Sequence, residues 1–387
     1  TTTDGFGFGS SVSLSQNGNI LAAGAPGLNC VTVYKLVRNE NFGITRWEPL
    51  GQTIKGQIEG NNFGFSLQLS ADGHTLVVGE PVYENETGRV QVFSYDADSS
   101  EKWIQLGNDI IGDMDDSSFG QSVTISGDGR RVAIGAPDYD VKHGRVFVHV
   151  YDDTDGGDGW GDGQKIAGRD SFFHGFGHDV SLSGDGSTLA CSAPRAFKSG
   201  FVMVYKVNKD DKKKYGGRVI IKPESFLEDS YRFGWSISLS WDGSRIAVGS
   251  PDYPDPEGIS DSLSQTGRAD IYEPSDDVSG TNGYKWVPVG EPIFGSQVNG
   301  LQSGWSVSLS SSGNHVAIGA YRRNSFRGQV VVHEFINGSW GDDLAIDGQS
   351  DEEWFGYDVA FGGDTFLAVG GPGASMKSGV VRAYEWR

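Results

Sequence analysis

The sequence predicts an all-β fold: a seven-bladed β-propeller built from four-stranded antiparallel blades. Three observations predict it. A glycine that opens a strand recurs at Gly9, Gly64, Gly120, Gly177, Gly234, Gly304 and Gly356, spaced 55, 56, 57, 57, 70 and 52 residues apart. Phenylalanine precedes six of these glycines, and Ser303 precedes the other. Each is followed by strict alternation, as in Val12 and Leu14 against Ser11, Ser13 and Ser15, which is the period of a strand. A repeat near 55 residues with several short strands per copy is a propeller signature.

The elements follow in order within each copy. After the first strand comes a tight turn: Asn17-Gly18, Asp72-Gly73, Asp128-Gly129, Asp185-Gly186, Asp242-Gly243, Ser312-Gly313. Glycine supplies positive φ there and Asp or Asn tolerates it, so each is a short hairpin. The second strand ends in Gly-Ala-Pro or a variant at Pro26, Pro81, Pro137, Pro194, Pro251 and Pro372, and proline stops ladder pairing. A variable loop, a glycine and a third strand come next, as in Val146–Val150. A fourth, outer segment reads Trp-x-x-x-Gly-x-x-Ile-x-Gly at Trp47–Gly56, Trp103–Gly112 and Trp286–Gly295, with Tyr215 in the tryptophan's place in the fourth copy. The serines of the first strand form a small-residue face that lets the next sheet approach closely. The blades span 1–60, 61–116, 117–173, 174–230, 231–301, 302–352 and 353–387 as one domain. The chain ends at Arg387, where a fourth strand of blade seven would start. That blade is expected to have three strands from this chain, its open edge covered by a longer precursor or a neighbouring chain.

Composition narrows the function. The 51 acidic and 31 basic residues give a net charge of −20, which disfavours nucleic acid as a partner. No apolar run approaches 18 residues, so no membrane-spanning helix is expected. The basic run Lys209–Lys214 contains Asp210 and Asp211 and reads as a solvated loop tip. Cys30 and Cys191 are expected to be free thiols. The sequons at Asn85 and Asn337 permit glycosylation in a secreted protein.

Phe119-Gly120 with Gly135-Ala136-Pro137, and Phe8-Gly9 with Gly24-Ala25-Pro26, resemble the FG-GAP repeat of the integrin α-subunit propeller. The resemblance extends over all seven copies. It implies an extracellular or cell-surface propeller that binds protein or glycan, often with calcium in the first hairpin of a blade. The hairpins here, such as Ser126-Gly127-Asp128-Gly129, carry one acidic residue and are too short for a calcium cage.

Two groups are candidate sites. The loop carrying Asp152, Asp153, Asp155, Asp158 and Asp162, with glycines between, suits a hard cation such as calcium and equally suits a solvated loop. The rim formed by loops after the second strand carries Asp138, Tyr139, Asp140, Asp252, Tyr253, Asp255 and Glu257. Aspartate beside tyrosine suits a sugar, with polar groups for hydroxyls and rings for apolar faces, although turns are often Asp-rich. Trp235, Trp305, Tyr357 and Phe65 follow the repeat glycine, and their parity assigns them to packing between blades. His143, His174 and His178 are a weaker metal candidate. No nucleophile–base pairing or nucleotide-binding glycine motif is present. The expectation is a non-enzymatic extracellular binding or adhesion module. The alternatives are a structural subunit of an extracellular assembly and a carbohydrate-active enzyme, which would need two carboxylates about 5–10 Å apart.

Overall fold

The computed structural model describes residues 7–39, 44–153, 159–168, 174–223, 231–254, 265–275, 285–295, 302–374 and 378–386. Its strands form seven antiparallel sheets. The innermost strands are Ser11–Leu14, Ser66–Leu69, Ser122–Ile125, Val180–Leu182, Ile237–Leu239, Ser306–Leu309 and Asp358–Gly362. Each packs against the innermost strand of the next blade, and the seventh packs against the first, so the ring closes.

The two halves of the repeat signature meet across blade boundaries. A Cβ on Gly135, at the end of a second strand, would lie 2.0 Å from the carbonyl oxygen of Gly177 in the next blade. Glycines 24, 79, 249, 319 and 370 stand in the same relation to Gly64, Gly120, Gly304, Gly356 and Gly9. No side chain fits between backbones that close. The phenylalanine before the second glycine is buried, as for Phe119 at 1% exposure, and fills the space behind the contact. It also forms a parallel bridge to the glycine before the previous blade's third strand, as Phe119 does with Gly88 and Phe8 with Gly379. Blade one lacks that glycine, and the Asn29 side chain accepts from Phe63 N–H instead, at 3.0 Å.

The serine face does more than make room. Ser13 Oγ accepts from Leu69 N–H, Ser181 from Leu239, Ser238 from Leu309 and Ser308 from Phe361, all within 3.0 Å. Thr124 and the Gln68 carbonyl do the same for Leu182 and Ile125. Innermost strands have one free edge, and these side chains satisfy amides that no ladder reaches.

The outer position is split in blades one, two, three and five, where two short strands both pair with the third. Blades four and six use single strands, Tyr215–Ile221 and Ser339–Asp347. The seventh sheet has three strands, Asp358–Gly362, Phe366–Gly371 and Val380–Glu385. Turns at Tyr83–Glu86, Tyr139–Lys142 and Arg323–Phe326 carry left-handed residues and are not regular helices. Among the described residues no helix is long and apolar enough to cross a membrane.

Candidate functional site

The innermost strands enclose a central channel of about 590 Å³. Its two ends differ. At the hairpin end, backbone N–H groups donate around the ring: Gln16 to Ala71, Ala71 to Gly127, Gly127 to Gly184, Gly184 to Trp241, Trp241 to Ser311 and Ser311 to Gly363, at 2.7–3.1 Å. The Trp241 indole lies over Gly127 and Gly184, where a Cβ would come within 2.3 Å of it. Gln16 Nε2 reaches Ser311 Oγ at 2.7 Å. This end is a floor.

The other end is the mouth. The residue after each repeat glycine stands there, and blades four to seven supply His178, Trp235, Trp305 and Tyr357. Their rings run side by side, with centroids 4.4, 4.8 and 5.8 Å apart along the arc. Tyr321 backs Trp305 at 4.7 Å, and Trp354 and Phe326 extend the surface outward. These rings pack between blades, as their parity predicts, and they also line the channel, because the innermost strands converge and both of their faces border it.

One residue deeper, five blades place serine and two place aspartate. Asp179 and Asp358 lie at the two ends of the arc. Asp179 accepts from Val180 N–H and from Ile237 N–H of the next blade, at 2.9 and 2.7 Å. Asp358 accepts from Val12 N–H at 2.7 Å, from Val359 N–H and from the Ser306 hydroxyl. Each keeps some surface toward the channel, but protein surrounds the channel on all sides, so the charged form has little bulk water. Burial pushes Asp179 up to about 7; its backbone donors oppose the rise and the Asp358 charge adds to it. Burial likewise pushes Asp358 up to about 6 against its donors. His178 is pushed down to about 3, by burial and then by the Arg195 cation, so its ring is neutral. Its Nδ1 is buried with no hydrogen-bond partner among the described residues.

Arginines gather at the mouth of this acidic protein. Arg195 borders the channel. Arg232 stacks 4.7 Å from the Trp235 ring and pairs with Asp252 at 2.7 Å. Arg322 donates to the Tyr321 hydroxyl at 2.8 Å.

The rim residues read from the sequence fall in separate places. Asp252 is at the mouth, held by Arg232 and Gln302. Tyr253 stacks on Tyr231 and lies under Arg268. Asp138 accepts from Ser118. Tyr139 is buried, with Arg145 bonded to its hydroxyl. Asp140 is exposed beside His143. Asp255 and Glu257 lie outside the described residues, as do Asp155 and Asp158 of the acidic loop. Asp152 pairs with Lys213 and Asp153 with Arg130, while Asp162 lies near His149. Among the described residues no three acidic, histidine or cysteine side chains gather as a metal site. His143 stacks on His174, but His178 faces Trp235. Asn85 and Asn337 are both exposed. Cys30 and Cys191 are free thiols.

Reading the sequence missed Asp179 and Asp358. The signal was available: both interrupt a column that is serine in the other five copies.

The chain is a seven-bladed β-propeller. Its fold is similar to a chain of Kuenenia stuttgartiensis hydrazine synthase, with a TM-score of 0.59 at 15% identity over 100% of this chain and 97% of that one. It is also similar to the β-propeller domain of Myceliophteria thermophila Cps50 (Swd1), with a TM-score of 0.61 at 11% identity over 98% of each. At such identities the likeness is one of fold. No protein-family model matches the chain, and no curated protein matches it.

Proposed function

We propose that the chain is a non-enzymatic binding module that takes a glycan at the mouth of its central channel. The arc of His178, Trp235, Trp305 and Tyr357, with Asp179 and Asp358 one residue deeper at its ends, carries this reading. Flat rings suit the apolar faces of a sugar, and acids, serines and arginines suit its hydroxyls. The Trp241 indole and the Gln16–Ser311 bond crowd the hairpin end of the channel, which favours a chain end or a branch at the mouth over a threaded polymer. The exposed sequons and the FG-GAP-like signature support an extracellular setting and an adhesive role.

A glycan array followed by tryptophan-fluorescence titration of the hits tests the proposal. Binding is expected, unchanged by chelator, and lost in Trp305→Ala. An array without hits, or hits that survive Trp305→Ala, would overturn it.

A second reading, a carbohydrate-active enzyme, draws on the two carboxyls Asp179 and Asp358 at the ends of the arc, both pushed up by burial, since glycosidic chemistry uses a pair of carboxyls with at least one proton held near neutral pH. It requires release of reducing sugar from the bound glycan, lost in Asp179→Asn and Asp358→Asn with binding retained.

A further inference from the structure

Three arginines stand on the aromatic side of the mouth. Arg195 follows the second strand of blade four, Arg232 enters blade five and Arg322 follows the second strand of blade six. In a chain of net charge −20, cations gathered without matching carboxylates reverse the sign of the surface locally. Arg232 pairs with Asp252 at 2.7 Å. That carboxylate is shared: burial pushes it up, and the Arg232 cation, the Gln302 amide and the Arg322 cation pull it down. Arg322 donates to the Tyr321 hydroxyl and lies over the Phe326 ring, with no ion pair among the described residues. Arg195 is exposed, borders the channel, and has neither a hydrogen-bond nor an ion-pair partner among the described residues.

The cations are placed against the arc. Arg232 lies over the Trp235 ring at 4.7 Å. After burial, the Arg195 cation and then the Arg232 cation hold His178 down, so both stand close to that ring. Two guanidiniums therefore mark the His178–Trp235 end of the arc, and the third stands behind Trp305 across the Tyr321 ring. The acids of the channel leave this charge largely uncancelled. Asp179 and Asp358 are one residue deeper, each accepts from backbone amides of its own blade and the next, and burial pushes both toward the neutral acid.

We propose that the sugar taken at the mouth is a hexuronate, its ring stacked on the Trp235–Trp305 pair and its carboxylate held by Arg195. The inference rests on the glycan-binding reading and gives that site a charge preference. The carboxyl on C5 of a hexuronate projects from the edge of the sugar ring. Stacking the apolar face of that ring on an indole directs the carboxylate sideways along the arc, toward the exposed guanidinium beside His178. A guanidinium presents a planar fork of N–H donors that matches both oxygens of a carboxylate. Of the three arginines, Arg195 is the one with no donor in use among the described residues.

The test titrates tryptophan fluorescence with trisaccharides of galacturonate, glucuronate and mannuronate, each beside its carboxyl-reduced counterpart built of galactose, glucose or mannose. At least one uronate is expected to bind about ten-fold more tightly than its hexose. Raising the ionic strength from about 0.05 to about 0.5 M should weaken the uronate and leave the hexose unchanged. Arg195→Gln, at an exposed and unpaired position, should remove the uronate's advantage and spare hexose binding, whereas Trp305→Ala should remove both. Hexoses that bind as tightly as uronates, or an advantage that survives Arg195→Gln, would overturn the hexuronate and leave the glycan reading standing. So would a glycan array that returns neutral sugars while no uronate binds. Tighter binding of a sulfated galactose trisaccharide than of any uronate would overturn the carboxylate. Absence of binding by every acidic and neutral sugar overturns both readings.

Discussion

The two ends of the central channel are made from the same seven strands and behave differently. At the floor, six backbone hydrogen bonds link the seven hairpins, and glycine or another small residue stands at most positions. These bonds are made by the backbone, so their geometry repeats although the residues there read Gln16, Ala71, Gly127, Gly184, Trp241, Ser311 and Gly363. At the mouth the equivalent position reads Ser10, Phe65, Gln121, His178, Trp235, Trp305 and Tyr357, seven residues of six types. Side chains there face a void and need not repeat. The repeat builds the ring, and its departures from itself mark where the ring can act.

The largest effect is expected in the frame that both ends share. Gly135→Val puts side-chain atoms into the Gly177 carbonyl and should cost about 3 kcal/mol by the usual penalty for overpacking, read in urea unfolding. Next is Trp305→Ala, which removes the middle of the arc. It should cost about 2 kcal/mol, because the ring is only half-buried, and it should abolish ligand binding.

The acids give a pH signature of the mouth. A carboxyl held above its ordinary value binds its proton more tightly in the folded chain than in the unfolded one. Stability from Asp179 therefore falls as pH rises from 3.8 through about 7, and from Asp358 as pH rises through about 6. His178 acts in the opposite sense, losing stability as pH drops from 6.5 toward about 3. Asp179→Asn should gain in melting temperature over the parent across the aspartate window and hold a constant offset above it. A constant offset throughout would place that carboxylate in freer contact with water than the geometry indicates.

The smallest effect on stability is expected at the floor. Trp241 is 38% exposed, so Trp241→Ala should cost about 1 kcal/mol or less. Ligand binding at the mouth should persist, while the amides of Gly127 and Gly184 exchange faster. Loss of binding in this variant would mean that the two ends are coupled.

Much of this was legible in the sequence. Phase and turn chemistry at Asp128-Gly129 and Pro137 marked the strands of blade three, and the three strands that the described residues form in blade seven followed from counting. The FG-GAP-like pairing was visible as a pattern, but its cause, Gly135 against Gly177, needed two blades in place. The site was less legible. Asp138 and Tyr139 looked like a rim and are held by Ser118 and Arg145, because acids and rings near a turn have local partners that spacing does not reveal. Asp179 and Asp358 looked like two more polar residues on a serine-rich strand.

The sequence by itself determined the number of blades, the order of strands and the places where pairing stops. These depend on local periodicity and on glycine and proline, whose backbone preferences act within a few residues. Only the tertiary structure decided that His178, Trp235, Trp305 and Tyr357 form one surface and that Asp179 and Asp358 stand at its ends. Those residues come from four blades, span 181 positions from His178 to Asp358, and meet only because the ring closes.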